Sequence, residues 1–269
     1  MVPLDGRPAF GSRPINVAQT NHGHSVTNLS AEKSDFYEQA HAKLEHLAAE
    51  VIAGWAHDST ASVKASEIEI IERFIVLHMF RRPSFMSATN ETVDIDMGPL
   101  AGTEAGYQIR RDMMIAAVSF PALLGAPHKY LVGNESERWA EYRAQFARYE
   151  WSLQRYSEPS LIVGDSLVSM YGDKDADPSS EQWRRSYFGG GGLASALRVS
   201  LPLTPTLGLL LSRGGELKRL RAETLNRSTI FHADEMLMHH PRFQQNAPVA
   251  HRNMVALIDA RANEQHLPR

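Results

Sequence analysis

The sequence predicts an α+β fold: mainly helical in the first half, a small mixed or antiparallel sheet in the second half, and helices packed on one face. Two observations carry this reading. Up to about residue 150 the apolar residues recur at helical spacing, and past Trp151 they fall into short runs bounded by Pro, Gly and Ser. Helices first and strands second is the order of an α+β domain, whereas a parallel sheet needs the two to alternate.

The elements follow in order. The opening "MVPLDGRPAFGSRPINVAQTNHGHS" is rich in Gly, Pro, Asn and Ser and has neither helical nor alternating periodicity. Residues 1–29 therefore read as a loop or disordered leader, and residues 30–269 as a single α+β domain. From about Ser30 to Trp55, Tyr37, Ala40, Leu44, Leu47, Ala48, Val51, Ile52 and Trp55 share one helix face. A second helix starts at Ser66, where Ser66 and Glu69 spell a capping box, and ends at Arg81-Arg82-Pro83. "EAGYQIRRDMMIAAVSF" reads as a third helix. A fourth, "NESERWAEYRAQFARYEW", opens at Asn134 and Glu137 and carries Trp139, Tyr142, Phe146 and Tyr149 as a core stripe.

Strands are expected at "WSLQRY", "SLIV", "ALRVSLPL" and "LGLLLS". A helix over about Gly215 to Arg227 follows, then "STIFHA" as a strand and "VAHRNMVALIDARANE" as a closing helix.

Composition narrows the function classes. The chain has 269 residues, 43% hydrophobic and 22% charged, which is enough for a substantial core. Its 28 basic and 31 acidic residues give a net charge of -3, so nucleic acid is not indicated as a partner. It has no cysteine, which removes disulfides, thiolate nucleophiles and Cys-ligated zinc. No run approaches the roughly 18 apolar residues of a membrane helix, and the N-terminus lacks a signal-peptide layout, so a cytoplasmic location and no membrane partner are expected.

Four local patterns invite chemistry. "LIVGDSLVSM" places Gly164-Asp165-Ser166-Leu167 after an apolar run, as Gly-Asp-Ser-Leu serine esterases do. The Gly-x-Asn-Asp and Asp-x-x-His partners of that family are missing, and a serine without a base is a weak nucleophile. Asp173, Asp175 and Asp177 begin like a calcium loop, but Pro178 and Arg184 stand where Gly and a bidentate Glu are needed. "FGGGGLAS" lacks the Gly-Lys-Ser/Thr of a phosphate loop and reads as a flexible connection. His232, Asp234, Glu235, His239 and His240 cluster without a His-Glu-x-x-His spacing, so no metal site is assigned.

Five stretches in order resemble the uncharacterised bacterial domain-of-unknown-function family numbered 4238. They are "SAEKSDFYEQAHAKLEHLAAE", "FIVLHMFRRPSF", "PSLIVGDSLVSM", "VSLPLTPTLGLLL" and "ETLNRSTIFHADE". The resemblance covers about residues 30 to 240. Where the family has a strand followed by Ser-Asp-x-Pro-Val, Asp165 matches the aspartate, Gly164 replaces the serine and Leu167 the proline. The Gly-Asp-Ser-Leu spelling is then an accident of two departures. Nothing is seen to match the His-Tyr/Phe-Val-Pro segment that opens family members, so the chain reads as N-terminally shortened. The resemblance implies no established reaction, and the cofactor is unknown.

Arg81 and Arg82 at a helix end, Asp165 after a strand, Thr204 between prolines and Asn226 near a helix end are polar groups placed where elements terminate, which is where sites sit on a rigid scaffold. These five are the candidate binding residues, with Asp165 expected within reach of Arg81 or Arg82. The reading is a binding or regulatory domain for a small molecule or protein partner. The alternative is a metal-dependent hydrolase, phosphodiesterase or nuclease-like, using Asp165; a serine esterase ranks below both.

Overall fold

The computed structural model describes residues 2–3, 26–27, 33–34, 36–80, 99, 102–106, 109, 112, 135–171, 192–214, 220–233, 236–243, 251–252, 254–256 and 258–259. Its elements are β1 (Val2–Pro3), β2 (Val26–Thr27), β3 (Lys33–Ser34), α1 (Phe36–His57), α2 (Ala65–Phe80), α3 (Glu135–Phe146), β4 (Glu150–Arg155), β5 (Ile162–Gly164), β6 (Ser169–Tyr171), α4 (Gly192–Ser195), β7 (Arg198–Thr204), β8 (Leu207–Ser212), α5 (Ala222–His232) and β9 (Met236–His239). The fold is α+β, with helices leading and antiparallel sheets in the second half. Among the described residues no helix is long and apolar enough to cross a membrane. The chain divides into two compact units, residues 19–53 with 64–143, and residues 1–18, 54–63 and 144–269.

Among its described residues, the regular elements of the first of these units are helices and the β2–β3 pair. In α1, Leu44 and Ala48 are buried as the helical spacing requires. The start of α2 lies two residues before the expected capping box. Lys64 is the residue before the helix, and Glu67, at the third helical position, accepts its backbone N–H at 2.9 Å. Glu67 thus supplies the glutamate half of a box without the hydroxyl half. Glu69 is released from capping and binds Arg73. In α2, Ile71, Phe74, Ile75 and Met79 are buried with Glu72 among them. Of the third expected helix, Glu104 to Gly106 and residues 109 and 112 are helical; Arg81, Arg82 and Asn134 lie outside the described residues.

The second unit holds a four-stranded antiparallel sheet in the order β4-β8-β7-β6 and a three-stranded sheet in the order β1-β9-β5. Every residue of β8 is buried, as a central strand covered on both faces demands. Pro202 is tolerated in β7 because β6 ends opposite Ser200, and the ladder to β8 is irregular between Pro202 and Thr204. α5 packs on β5, β6 and β7. Ile162, Ile230, Leu237, Phe243, Met254 and Ile258 form the core beneath the smaller sheet.

One local reading is corrected here. "STIFHA" is not a strand: Ser228 to His232 belong to α5, which begins at Ala222 after the extended Arg221. Its β-branched residues are accommodated because Leu225, Asn226, Thr229 and Ile230 form one buried face, and Thr229 Oγ1 donates back to the Leu225 carbonyl at 3.1 Å. Two short strands, β1 and β2, also lie inside the stretch assigned to loop by composition; β1 pairs with the distant β9, a partner that no local pattern announces.

Candidate functional site

The chain leaving β4 is tied to the turn of the β7–β8 hairpin. Tyr156 N–H donates to the Thr206 carbonyl at 2.9 Å, and the amides of Ser160 and Leu161 both donate to the Pro205 carbonyl, at 2.9 and 3.0 Å. Thr204 organises that turn, its Oγ1 accepting the Thr206 N–H at 3.2 Å. From the other side, Asn226 of α5 takes hold of the same segment. Its Oδ1 accepts the Ile162 N–H at 3.1 Å and its Nδ2 donates to the Ser160 carbonyl at 2.7 Å. β5 is an edge strand, so its outward amide would otherwise be buried unsatisfied.

β5 then runs past the end of α5 at close range. A Cβ added to Gly164 would stand 2.9 Å from the Ala233 Cβ, so glycine is what lets strand and helix meet there. Asp165 follows directly, about 10 Å along the chain from Ile162. It is half-buried, and its Oδ1 accepts the Ser166 N–H at 2.9 Å. Ser166 itself is fully buried, with its Oγ 3.5 Å from the Val168 carbonyl. A hydroxyl sunk in this way does not present itself to a substrate, so the serine-nucleophile spelling finds no geometric support.

Of the five candidate residues, the structure brings Thr204, Asn226 and the strand leading to Asp165 together around Ser160 to Ile162. Thr204 and Asn226 use their polar atoms to hold backbone, which makes them positioning residues. Asp165 lies three residues beyond Ile162 on the segment they hold. Arg81 and Arg82, and with them the expected pairing to Asp165, lie outside the described residues, as do Asp173 to Asp177, Phe188 to Gly191, Asp234 and Glu235.

The histidines are used locally. His232 is buried on α5, and its Nδ1 donates to the Ser228 carbonyl at 2.7 Å, which leaves Nε2 as the acceptor in the neutral ring. His239 Nδ1 donates to the His240 carbonyl at 3.0 Å, and its ring packs against Phe243 and His251. Among the described residues no group of three or more His, Asp or Glu side chains could hold a metal ion.

Two arrangements escaped the sequence reading. Glu72 is buried on the apolar face of α2, and burial pushes its carboxyl up to about 7 against the lowering influence of Arg143. The signal was present, since an acid four residues after Ile68 and four before Val76 falls on the apolar stripe. The other is a clamp on α4. Tyr149 Oη approaches the carbonyls of Leu193 and Ala196 at 2.8 and 2.7 Å, and Arg213, its guanidinium 4.5 Å from the Tyr149 ring centre, donates to the carbonyls of Leu193 and Ala194. Burial raises the Tyr149 phenol, with Arg213 opposing. The core stripe accounts for the Tyr149 ring but not for its hydroxyl.

Residues 1–243 match the family described as Protein of unknown function (DUF4238). The chain belongs to this family. No curated protein and no solved structure matches it. The DUF4238 match reaches back to residue 1, where Val2-Pro3 pairs with β9. In this DUF4238 chain Gly164 coincides with the close approach of Ala233.

Proposed function

We propose that the protein is a binding or regulatory domain that meets its ligand through Asp165. The observation that carries this reading is the rigid seating of Asp165: the segment before it is held by Asn226 on one side and Pro205 on the other, and Gly164 is packed on Ala233. A carboxylate on so fixed a strand end suits recognition, because little order has to be gained on binding. Its chemistry selects a ligand with N–H or O–H donors or a positive charge, on a small molecule or a protein partner. A cytoplasmic setting belongs to the same proposal and is supported by the lack of any run approaching the roughly 18 apolar residues of a membrane helix.

The test compares wild type with Asp165→Asn in a thermal-shift screen of amines, guanidines, nucleosides and divalent ions. The expected result is a compound that raises the melting temperature of wild type and not of the variant, while the two proteins alone melt together. A variant that melts far lower, with every compound acting equally on both, would show that Asp165 is structural. Calorimetric titration with magnesium, manganese and zinc addresses the metal-dependent hydrolase. Metal binding lost in Asp165→Asn together with phosphodiester cleavage would favour that alternative over the binding reading.

A further inference from the structure

The helical unit carries a second polar arrangement that owes nothing to Asp165. Glu72 on α2 is 5% exposed, its Oε2 has no hydrogen-bond partner, and the Nε of Arg143 on α3 stands 3.6 Å from that oxygen. That separation is an ion pair but too long for a good hydrogen bond. Arg143 is 55% exposed and lies at the rim. Beside this pair the same two helices meet a second time, where the Arg73 guanidinium lies 4.3 Å from the Trp139 ring centre while binding Glu69 Oε1 through Nε and Nη2 at 3.2 and 2.9 Å. Arg73 is thus engaged by Glu69 and Trp139, and Arg143 is the cation Glu72 meets from across the interface.

Each state of Glu72 then has a definite consequence. A protonated carboxyl, buried like Ile71, Phe74 and Ile75, pays a far smaller desolvation cost than an ionised one. An ionised one has lost its water, accepts no hydrogen bond at Oε2, and draws only on a half-solvated arginine. Water reaches it if α3 moves off α2 at this point. We propose that Glu72 is a proton-operated seat for α3: the helix rests fully on α2 while Glu72 is neutral and loosens there when Glu72 ionises. Burial places the changeover at about 7, inside the physiological range.

The other charged groups that act on Glu72, both on α2, are Glu69, which raises its carboxyl, and Arg73, which lowers it. Helix α1 meets α2 further along, with Glu45 Oε1 3.9 Å from His78 Nε2, and contributes the buried His41. A fall in protection of α3 that followed His78 or His41 would persist when Glu72 is replaced, which separates those groups from the one invoked.

The experiment uses the full chain. Carboxyl carbon chemical shifts of glutamate give the Glu72 midpoint, and amide hydrogen exchange, corrected for intrinsic rates, reports protection across α3 from pH 6 to 8. In wild type the midpoint should lie near 7 and protection of α3 should fall severalfold as pH rises through it. Glu72→Gln should keep α3 protected over the whole range. Arg143→Met should move the midpoint upward, and Arg143→Lys should bring it back toward wild type. A Glu72 midpoint in the ordinary glutamate range would overturn the proposal, as would a fall in α3 protection that survives in Glu72→Gln. Should a variant fail to fold, the wild-type data decide: a fall in α3 protection centred on the Glu72 midpoint supports the proposal, and one centred elsewhere, or none, overturns it.

Discussion

Replacing Asn226 by alanine tests whether the segment before Asp165 is held as the geometry says. The side chain is buried, takes the Ile162 amide at 3.1 Å and gives a hydrogen bond to the Ser160 carbonyl at 2.7 Å. Alanine removes both partners without removing the backbone groups. A buried group left unsatisfied costs about 1–3 kcal/mol. The Ile162 amide is deeply buried and should bear the full amount, whereas Ser160 is half-buried and water can take over its carbonyl. The expected loss is therefore about 1–3 kcal/mol, measured as a shift in urea midpoint with an unchanged denaturant slope. Asn226→Asp is the sharper control. It keeps an acceptor for Ile162 but turns an anion toward the Ser160 carbonyl, so it should be at least as damaging as alanine at pH 7 and recover in part when the carboxyl is protonated in acid. A loss below about 0.5 kcal/mol for Asn226→Ala, the size of an ordinary surface change, would refute the clamp and return Asn226 to the group of ligand-contacting candidates.

Three further outcomes are expected. Gly164→Ala brings a Cβ to 2.9 Å from Ala233, where neither partner has a flexible end to move aside, so it should destabilise by about 1–3 kcal/mol in the same urea assay. Tyr149→Phe deletes the hydroxyl between the Leu193 and Ala196 carbonyls; Leu193 keeps Arg213, so the loss should be about 1–2 kcal/mol and should appear as faster amide exchange around Ala196. For Glu72 the folded protein holds the proton more tightly than the unfolded chain, so its contribution to stability is present below the ordinary value of 4.5 and is lost as pH rises through about 7. The difference amounts to roughly 3 kcal/mol. Urea midpoints at pH 5 and pH 8 should show that decline in wild type and a much smaller one in Glu72→Gln, and equal declines in both would refute the assignment.

The sequence by itself determined the elements whose signal is local. The stripe of α1, the apolar run of α2, and the short runs of β4, β7 and β8 each show the period of the structure they form, because burying one face of a helix or both faces of a strand imposes that period on nearest neighbours. Local signals misled where two short-range rules compete. Ser228 to Ile230 look like a strand by β-branching, yet they continue α5 because the face they share with Leu225 and Asn226 is buried. The candidate site was legible only as a set of polar residues at element ends. Which of them holds backbone was decided by contacts between residues far apart in the chain: Asn226 with Ser160 and Ile162, Pro205 with Ser160 and Leu161, Gly164 with Ala233. The same holds for Glu72, whose place on the apolar stripe was visible but whose chemistry was not. A carboxyl's proton affinity depends on the water it loses and the cations that approach it, and both are set by Arg143 and the packing of another helix, which exist only once the tertiary structure has formed.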